Sequence, residues 1–188
     1  MQKDYKKICS LFFREAEMGN WKKLTINNIS KRLKKKEEDI KKIIPNKNHF
    51  LSFYNKNVDY DVIKSIPDEE LKISSNDEII QEYFMQKLEI MNIYKFGFIN
   101  ILNVSLKDPS FLLINLQSNK TSIDRYIKKV SKKENNISRI ILTKLLLATW
   151  LIAFNKWLYD DSNTDIALVT INKGISRIKK NTDLFNKI

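Results

Sequence analysis

The stretch TINNISKRLKKKEEDIKKIIP, residues 25–45, decides the fold of the N-terminal part of this chain. It contains two short segments with apolar residues at helical spacing, separated by three consecutive lysines. Thr25 is a preferred N-cap for the first helix. Pro45 ends the second helix, because it lacks an N–H donor and disfavours a helical backbone in the preceding residue. The apolar positions are Ile26, Ile29 and Leu33, then Ile40, Ile43 and Ile44.

A further helix is predicted upstream, where large apolar residues recur at helical spacing until Met18-Gly19. Three short helices in about 45 residues, the last two joined by a short turn, predict a helix-turn-helix domain over residues 1–47. The apolar positions of the first helix are Tyr5, Ile8, Leu11, Phe12 and Phe13.

The remainder, residues 48–188, is predicted to be a helical bundle. The chain has only three Gly and three Pro, which favours long helices with few joints. Ser75 and Glu78 form a capping box for one of these helices. We therefore expect an all-α fold with about nine helices, in which residues 66–74 form a loop between the domains. The other helices are predicted after Asn46 to about residue 65, then at 93–106, 109–133, 137–160 and 164–180, with joints at 108–110, 134–136 and 160–163.

The helix at 137–160 has almost no polar face. A soluble helix that is apolar all round must be covered on more than one side. The helix at 164–180 is amphipathic, so we expect the two helices to form a homodimer interface of four helices.

The charge of the chain is unevenly distributed. The formal net charge is +12, and residues 1–50 hold 14 Lys and Arg against six Asp and Glu. This asymmetry is typical of a nucleic-acid-binding end. A solvated lysine surface is the alternative, since Lys, Asn and Ile are abundant throughout.

Little in the sequence points to catalysis. One Cys and one His, Cys9 and His49, exclude an internal disulfide and argue against a zinc site or a nucleophilic triad. No Gly-rich phosphate loop occurs. We expect no enzymatic activity and no cofactor, and we expect a cytoplasmic protein without a signal peptide. The strongly apolar run at 145–154 is about half of the roughly 20 residues that a membrane span requires, so no span is expected.

Aromatic residues of the second domain allow two interpretations. They form a packed core, or they line an apolar cavity with few polar groups. The candidate ligand-binding residues are Tyr83, Phe84, Phe96, Phe111, Trp150 and Phe154.

From Ile8 to Leu51 the chain resembles the DNA-binding domain of TetR family transcriptional regulators. The resemblance depends on WKKLTINNISKRL at 21–33, on Ile40, on IPNK at 44–47 and on Leu51. It implies that Lys47 opens the fourth helix and holds a DNA phosphate, and that Thr25 caps the second helix and points at the DNA backbone.

The second half is similar to a branch of the same family that is common in alphaproteobacteria. It is also similar to the lipid-binding protein family of coenzyme Q biosynthesis, a TetR-like fold that does not read DNA. The residues that carry the first similarity are Asp77 to Ile80, Phe84 to Glu89, Trp157 to Asp161 and Thr170. The second depends on the C-terminal pattern alone, Trp157 and Asp160 in W-x-x-D followed by Thr170.

The recognition segment departs from the TetR pattern. Lys34 occupies the usual Gly position, Lys36 the usual cap Ser and Lys41 a commonly aromatic position. Glu37, Glu38 and Asp39 begin the recognition helix. These acids suit the helix dipole and would repel phosphates, although a Glu can accept a hydrogen bond from cytosine N4.

Two functions follow as hypotheses. The first is a homodimeric regulator, a repressor of transcription, that binds double-stranded DNA and is released by a small apolar effector. The second is a lipid- or quinone-binding accessory protein on the same fold that does not bind DNA. The candidate DNA-binding residues are Thr25, Lys35, Lys36, Glu37, Lys41, Lys42 and Lys47.

Overall fold

A computed structural model of the chain describes residues 2–67, 69, 73–131, 136–160 and 164–186, with side chains from residue 5 onward. The described residues form nine α-helices and no strand, which confirms the all-α prediction. The helices are α1 (Gln2–Glu17), α2 (Ile26–Leu33), α3 (Glu37–Lys41), α4 (Phe50–Ser65), α5 (Asn76–Asn92), α6 (Lys95–Ser105), α7 (Pro109–Val130), α8 (Asn136–Tyr159) and α9 (Asp165–Asn181). Short 3-10 helices lie at Trp21–Lys23, Lys47–His49 and Leu184–Asn186.

The chain forms two compact units that do not follow the expected boundary between residues 47 and 48. Unit 1 consists of Met1–Asn57 and Tyr94–Ser118, and unit 2 of Val58–Ile93 and Asn119–Ile188. The difference arises because α6, far along the chain, packs against α1. The boundaries between the units therefore fall inside α4, between α5 and α6, and inside α7.

Unit 1 has an aromatic core. The ring of Phe12 stacks on that of Phe50 with centroids 4.3 Å apart, and Phe13 stacks on Tyr94 at 4.4 Å. The fully buried Trp21 lies 6.0 Å from Phe50 between ring centroids. Such contacts provide large apolar burial together with favourable ring geometry, so they hold α1, α4 and the segment before α6 together.

The helix-turn-helix segment forms as the sequence predicts at its beginning. Thr25 is the N-cap of α2, where its hydroxyl accepts a hydrogen bond from the Asn28 N–H at 3.2 Å. Asn28 Oδ1 accepts in return from the Thr25 N–H at 3.1 Å, which completes a capping box. The turn begins at Lys34 with φ 54° and ψ 40°, a left-handed conformation that favours glycine.

Helix α3 is shorter than the predicted 37–44. It ends at Lys41, and a turn follows in which the N–H groups of Ile43 and Ile44 both donate to the Ile40 carbonyl, at 3.1 and 2.8 Å. Pro45 disfavours a helical backbone at Ile44, but α3 already ends at Lys41, before that constraint applies. Ile44 is nevertheless buried in unit 1.

Unit 2 contains the other confirmed cap. At the beginning of α5 the Ser75 N–H donates to Glu78 Oε2 at 2.9 Å, and the Ser75 hydroxyl donates to the same oxygen at 2.7 Å. Parts of the predicted joints lie outside the described residues, namely 68, 70–72, 134–135 and 161–163. The last residues of the helix predicted at 109–133 also lie outside them; in the described residues α7 ends at Val130.

Helix α8 is not covered all round. One face is buried in unit 2, and the opposite face is exposed, with Ile137 73% and Ile152 56% accessible to solvent. Over 18 residues its mean hydropathy is 1.8, and a third of that window is buried. By length and composition it could cross a membrane, but the core helix of a soluble protein shares these properties, so the expectation of no span stays a prediction. The buried face consists of Leu142, Leu146, Trp150, Ala153 and Trp157.

Helices α8 and α9 pack closely at Gly174. A Cβ atom added there would lie 2.3 Å from Thr149 Cγ2 and 2.7 Å from its hydroxyl oxygen. We expect Gly174→Ala to lower the free energy of unfolding by about 1–3 kcal/mol through overpacking, as measured by urea denaturation. The cost should be smaller in a Thr149→Ala background. A gain of about 1 kcal/mol, typical of an unhindered Gly-to-Ala change in a helix, would contradict this packing.

Candidate nucleic-acid interface and buried polar cluster

The lysines between residues 34 and 42 are on the surface of unit 1. Lys34, Lys35 and Lys36 in the turn are all exposed, as are Lys41 and Lys42 in and after α3. Ile40 faces the opposite way and is 1% exposed. The buried side chain of Ile40 anchors this segment to the core of unit 1, and the lysines face solvent.

Two acids at the start of α3 pair with lysines at its end, Lys41 in the helix and Lys42 directly after it. Lys41 Nζ lies 2.7 Å from Glu37 Oε1, and Lys42 Nζ lies 2.9 Å from Asp39 Oδ1. The hydrogen bond and positive charge of Lys42, with further charge from Lys36 and Lys35, lower the pKa of Asp39. Intrahelical pairing therefore neutralises part of the acidic charge that would repel a phosphate. The exposed lysines of the turn add further positive charge to the same surface.

Lys47 has a structural role that the sequence did not predict. Its ammonium donates to the carbonyl oxygens of Trp21 at 3.1 Å and Lys22 at 2.9 Å, and it lies 5.9 Å from the centroid of the Trp21 ring. Burial lowers its pKa. The residue that the family resemblance assigns to a DNA phosphate thus caps the 3-10 helix before α2.

The electrostatic contrast between the units is large. Unit 1 contains 17 Lys and Arg against seven Asp and Glu, a net charge of +10. Unit 2 contains 17 against 15, a net charge of +2. A protein surface with such an excess attracts polyanions over distances comparable to the Debye length.

The six candidate ligand-binding residues are divided between the two units. Phe96 and Phe111 belong to unit 1, where Phe96 is 75% exposed and Phe111 is buried. Tyr83, Phe84 and Trp150 are buried in unit 2, and the half-buried Phe154 joins them. Phe84 stacks on Trp150 at 5.3 Å between ring centroids, and Phe154 lies 5.8 Å from the same ring. These rings pack on one another, as core residues do.

A buried polar cluster lies beside these rings, and the sequence analysis missed it. Asp59 of α4, Lys87 of α5 and Ser122 of α7 are all buried, and each is hydrogen-bonded to the others or to Tyr83. One signal for it exists in the sequence. Lys87 interrupts the apolar stripe that runs along α5 through Ile80, Phe84 and Met91.

The described residues show no metal-binding group of three or more His, Cys, Asp or Glu side chains. Burial raises the pKa of the Cys9 thiol to about 12, so this cysteine stays protonated at neutral pH. His49 is half-buried, with Nδ1 3.0 Å from Asn46 Oδ1.

Comparison of this chain with protein-family models, curated proteins and solved structures finds no match. The resemblance to the TetR family therefore stays a prediction from sequence.

The structural role of Lys47 can be tested by Lys47→Met, which keeps the aliphatic stem and removes the ammonium. The loss of two charge-assisted hydrogen bonds should lower the free energy of unfolding by about 1–2 kcal/mol. Urea denaturation measures this change, and Lys22→Met, at an exposed position, is the matched control. Equal stability of the two variants would contradict this structural role and leave only the phosphate contact that the resemblance implies.

Proposed function

We propose that this protein is a TetR-like transcriptional regulator that binds double-stranded DNA as a homodimer through the helix-turn-helix segment of unit 1. The observation that carries the proposal is the exposed lysine-rich turn between α2 and α3, in a unit with a net charge of +10. Lysines at such a position neutralise phosphates and release counterions. The polar residues of α3 would then meet base edges in the major groove.

The pairing within α3 assigns different roles to the lysines. Lys41 pairs with Glu37 within α3, and Lys42, directly after the helix, pairs with Asp39, so a phosphate must compete with these carboxylates. Lys35 and Lys36 are exposed in the turn that precedes the acids of α3, and they add their charge to the field at Asp39. Because of this exposed position, we assign the main phosphate contacts to the turn and a weaker electrostatic contribution to α3.

This assignment predicts a specific salt dependence. Wild-type protein should shift duplexes from a random pool at low salt, and log K should fall linearly with log salt. The double variant Lys35→Gln/Lys36→Gln should lower the magnitude of that slope by about two, one for each lost phosphate contact. Fluorescence anisotropy with the duplexes selected by the wild type measures both quantities.

The control is Lys173→Gln/Lys180→Gln, which removes the same charge from exposed positions of α9 in unit 2. It should keep the wild-type slope. Equal slopes in the two double variants would place the contacts elsewhere. A dimeric wild-type protein that shifts no duplex at low salt would refute DNA binding altogether.

The homodimer is proposed through the exposed faces of α8 and α9. These two helices pack against each other, and both present apolar side chains to solvent, with Ile141 45%, Ile166 46% and Val169 50% exposed. Two such pairs related by a two-fold axis would bury both faces in a self-complementary interface. A two-fold dimer also suits the two half-sites of a palindromic operator.

A dimer interface on α8 predicts that Ile141→Glu/Ile152→Glu is a folded monomer. Sedimentation velocity should show the wild type as a dimer and this variant as a monomer with unchanged helical circular dichroism. Leu113→Glu, at an exposed apolar position of α7 in unit 1, should leave the dimer intact. A wild-type protein that is monomeric at tens of micromolar would overturn the interface.

A specific observation favours a second candidate function, a lipid- or quinone-binding accessory protein. The exposed apolar face of α8 has only basic charged residues on its helix, Arg139, Lys144 and Lys156. Arg139 is paired with Asp124, whereas Lys144 and Lys156 are exposed. An apolar face with exposed lysines is typical of contact with an anionic lipid surface. Sedimentation with phosphatidylglycerol vesicles, together with mass spectrometry of organic extracts, tests this function. If the protein neither sediments with the vesicles nor carries a co-purified lipid, this function is excluded.

Release by a small apolar effector stays a prediction from the sequence. In unit 2, Tyr83, Phe84 and Trp150 are in ring contact with one another, and Tyr83 stacks on Tyr126. The proposal therefore depends on DNA binding and dimerisation only.

A further inference from the structure

Lys87 is a fully buried lysine in unit 2. Its side chain is 1% exposed, and that of its partner Asp59 is 2% exposed. The ammonium nitrogen lies 2.8 Å from Asp59 Oδ1, 3.0 Å from Ser122 Oγ and 3.2 Å from Tyr83 Oη. An ammonium group has three N–H donors, so three oxygen acceptors satisfy all of them.

Aromatic rings complete the surroundings of this ammonium. Its nitrogen lies 5.3 Å from the centroid of Trp150 and 5.4 Å from that of Tyr83. Both distances allow a cation–π attraction, which is strongest where water is excluded. A carboxylate, two hydroxyl groups and two rings therefore surround one positive charge.

The acceptors are themselves held in place. The Tyr83 hydroxyl donates to Asp59 Oδ1 at 2.8 Å, and the Ser122 hydroxyl donates to Asp59 Oδ2. Tyr83 also stacks on Tyr126 with ring centroids 4.0 Å apart. Since α4, α5 and α7 each supply an oxygen, the arrangement does not depend on the position of the Lys87 side chain alone.

We propose that Asp59, Tyr83, Ser122 and Trp150 form an internal binding site for a primary alkylammonium ion, and that the side chain of Lys87 occupies this site in the native chain. Three acceptor oxygens match the three N–H donors of a primary ammonium, whereas a quaternary ammonium has no donor. An apolar ligand would leave the buried Asp59 carboxylate without a counter-charge, which is costly. The site therefore selects a cation, unlike the apolar effector cavity expected from the sequence.

Burial and Asp59 have opposite effects on the charge of Lys87. Burial lowers the pKa of Lys87, and the negative charge and hydrogen bond of Asp59 act in the opposite direction. Burial and the charge of Asp59 raise the pKa of Tyr83 well above 10, so its hydroxyl stays protonated. The tyrosine can thus donate to Asp59 and accept from the ammonium at once.

The test is chemical rescue of Lys87→Ala. This change removes Cγ, Cδ, Cε and Nζ, the atoms of n-propylammonium, and leaves Asp59 without its counter-charge. We expect the Tm to fall by roughly 10 °C. Added n-propylammonium should then raise the Tm by roughly 3–5 °C for each tenfold increase in concentration above its Kd.

Three controls define the specificity of the rescue. 1-Propanol has a similar shape and no charge, and tetramethylammonium has the charge and no N–H donor; neither should restore the Tm. Lys64→Ala removes an exposed lysine of α4 and should show no response to n-propylammonium. Equal rescue by 1-propanol, or no rescue of a folded Lys87→Ala protein, would overturn the proposal.

A second set of variants applies if Lys87→Ala does not fold. Lys87→Met keeps the volume of the side chain, and Asp59→Asn removes the carboxylate charge. The Tm loss of Asp59→Asn/Lys87→Met should be clearly smaller than the sum of the two single losses, because the double variant leaves no uncompensated buried charge. Additive losses would show that the ammonium and the carboxylate do not act as one site.

Discussion

Every buried N–H group must find an acceptor, because burial without one costs as much as a lost hydrogen bond or more. The three tryptophans show how this requirement shapes both units. Each indole N–H donates to a side chain that is distant in sequence, and each pair connects different helices or helix-flanking segments of the same unit. A helix cannot shift along its neighbour without breaking such a bond. The pairs are Trp21 with Ser105 at 2.8 Å, Trp150 with Asn119 at 3.0 Å and Trp157 with Asn92 at 3.1 Å.

The requirement for a hydrogen-bonding partner is strictest for buried charged groups. Lys87 and Asp59 lie in the interior of unit 2, where two uncompensated charges would be very unfavourable, and the hydroxyl groups of Tyr83 and Ser122 complete their hydrogen bonding. On the surface of unit 1, in contrast, lysines and acids of α3 pair loosely in solvent. Such exposed pairs contribute little to stability, so they remain available to rearrange when a polyanion approaches. Buried charge thus determines packing in unit 2, and exposed charge determines the proposed partner of unit 1.

Local signals in the sequence predicted most of the helices. Thr25 and the pair Ser75 and Glu78 were recognised as caps because a cap depends on residues within one turn of each other. Pro45 was recognised as a helix end, but α3 already stops at Lys41. A turn closes there on the Ile40 carbonyl and accompanies the burial of Ile44, which is a tertiary feature. The candidate DNA-binding lysines were also found from sequence, but not the capping role of Lys47, whose acceptors lie more than twenty residues away.

By itself the sequence determined that this protein is all-α, where its helices begin, and that its positive charge concentrates toward the N-terminus. Periodicity, capping and charge are properties of neighbouring residues, so they can be read along the chain. Only the tertiary structure decided that residues 94–118 belong with the N-terminal helices and that Phe96 is exposed while Lys87 is buried. Those outcomes depend on which helix faces meet, because one apolar stripe can be covered equally well by several others. The lysine turn at residues 34–36 therefore remains the candidate nucleic-acid contact. The buried lysine, Lys87, was found only from the packing.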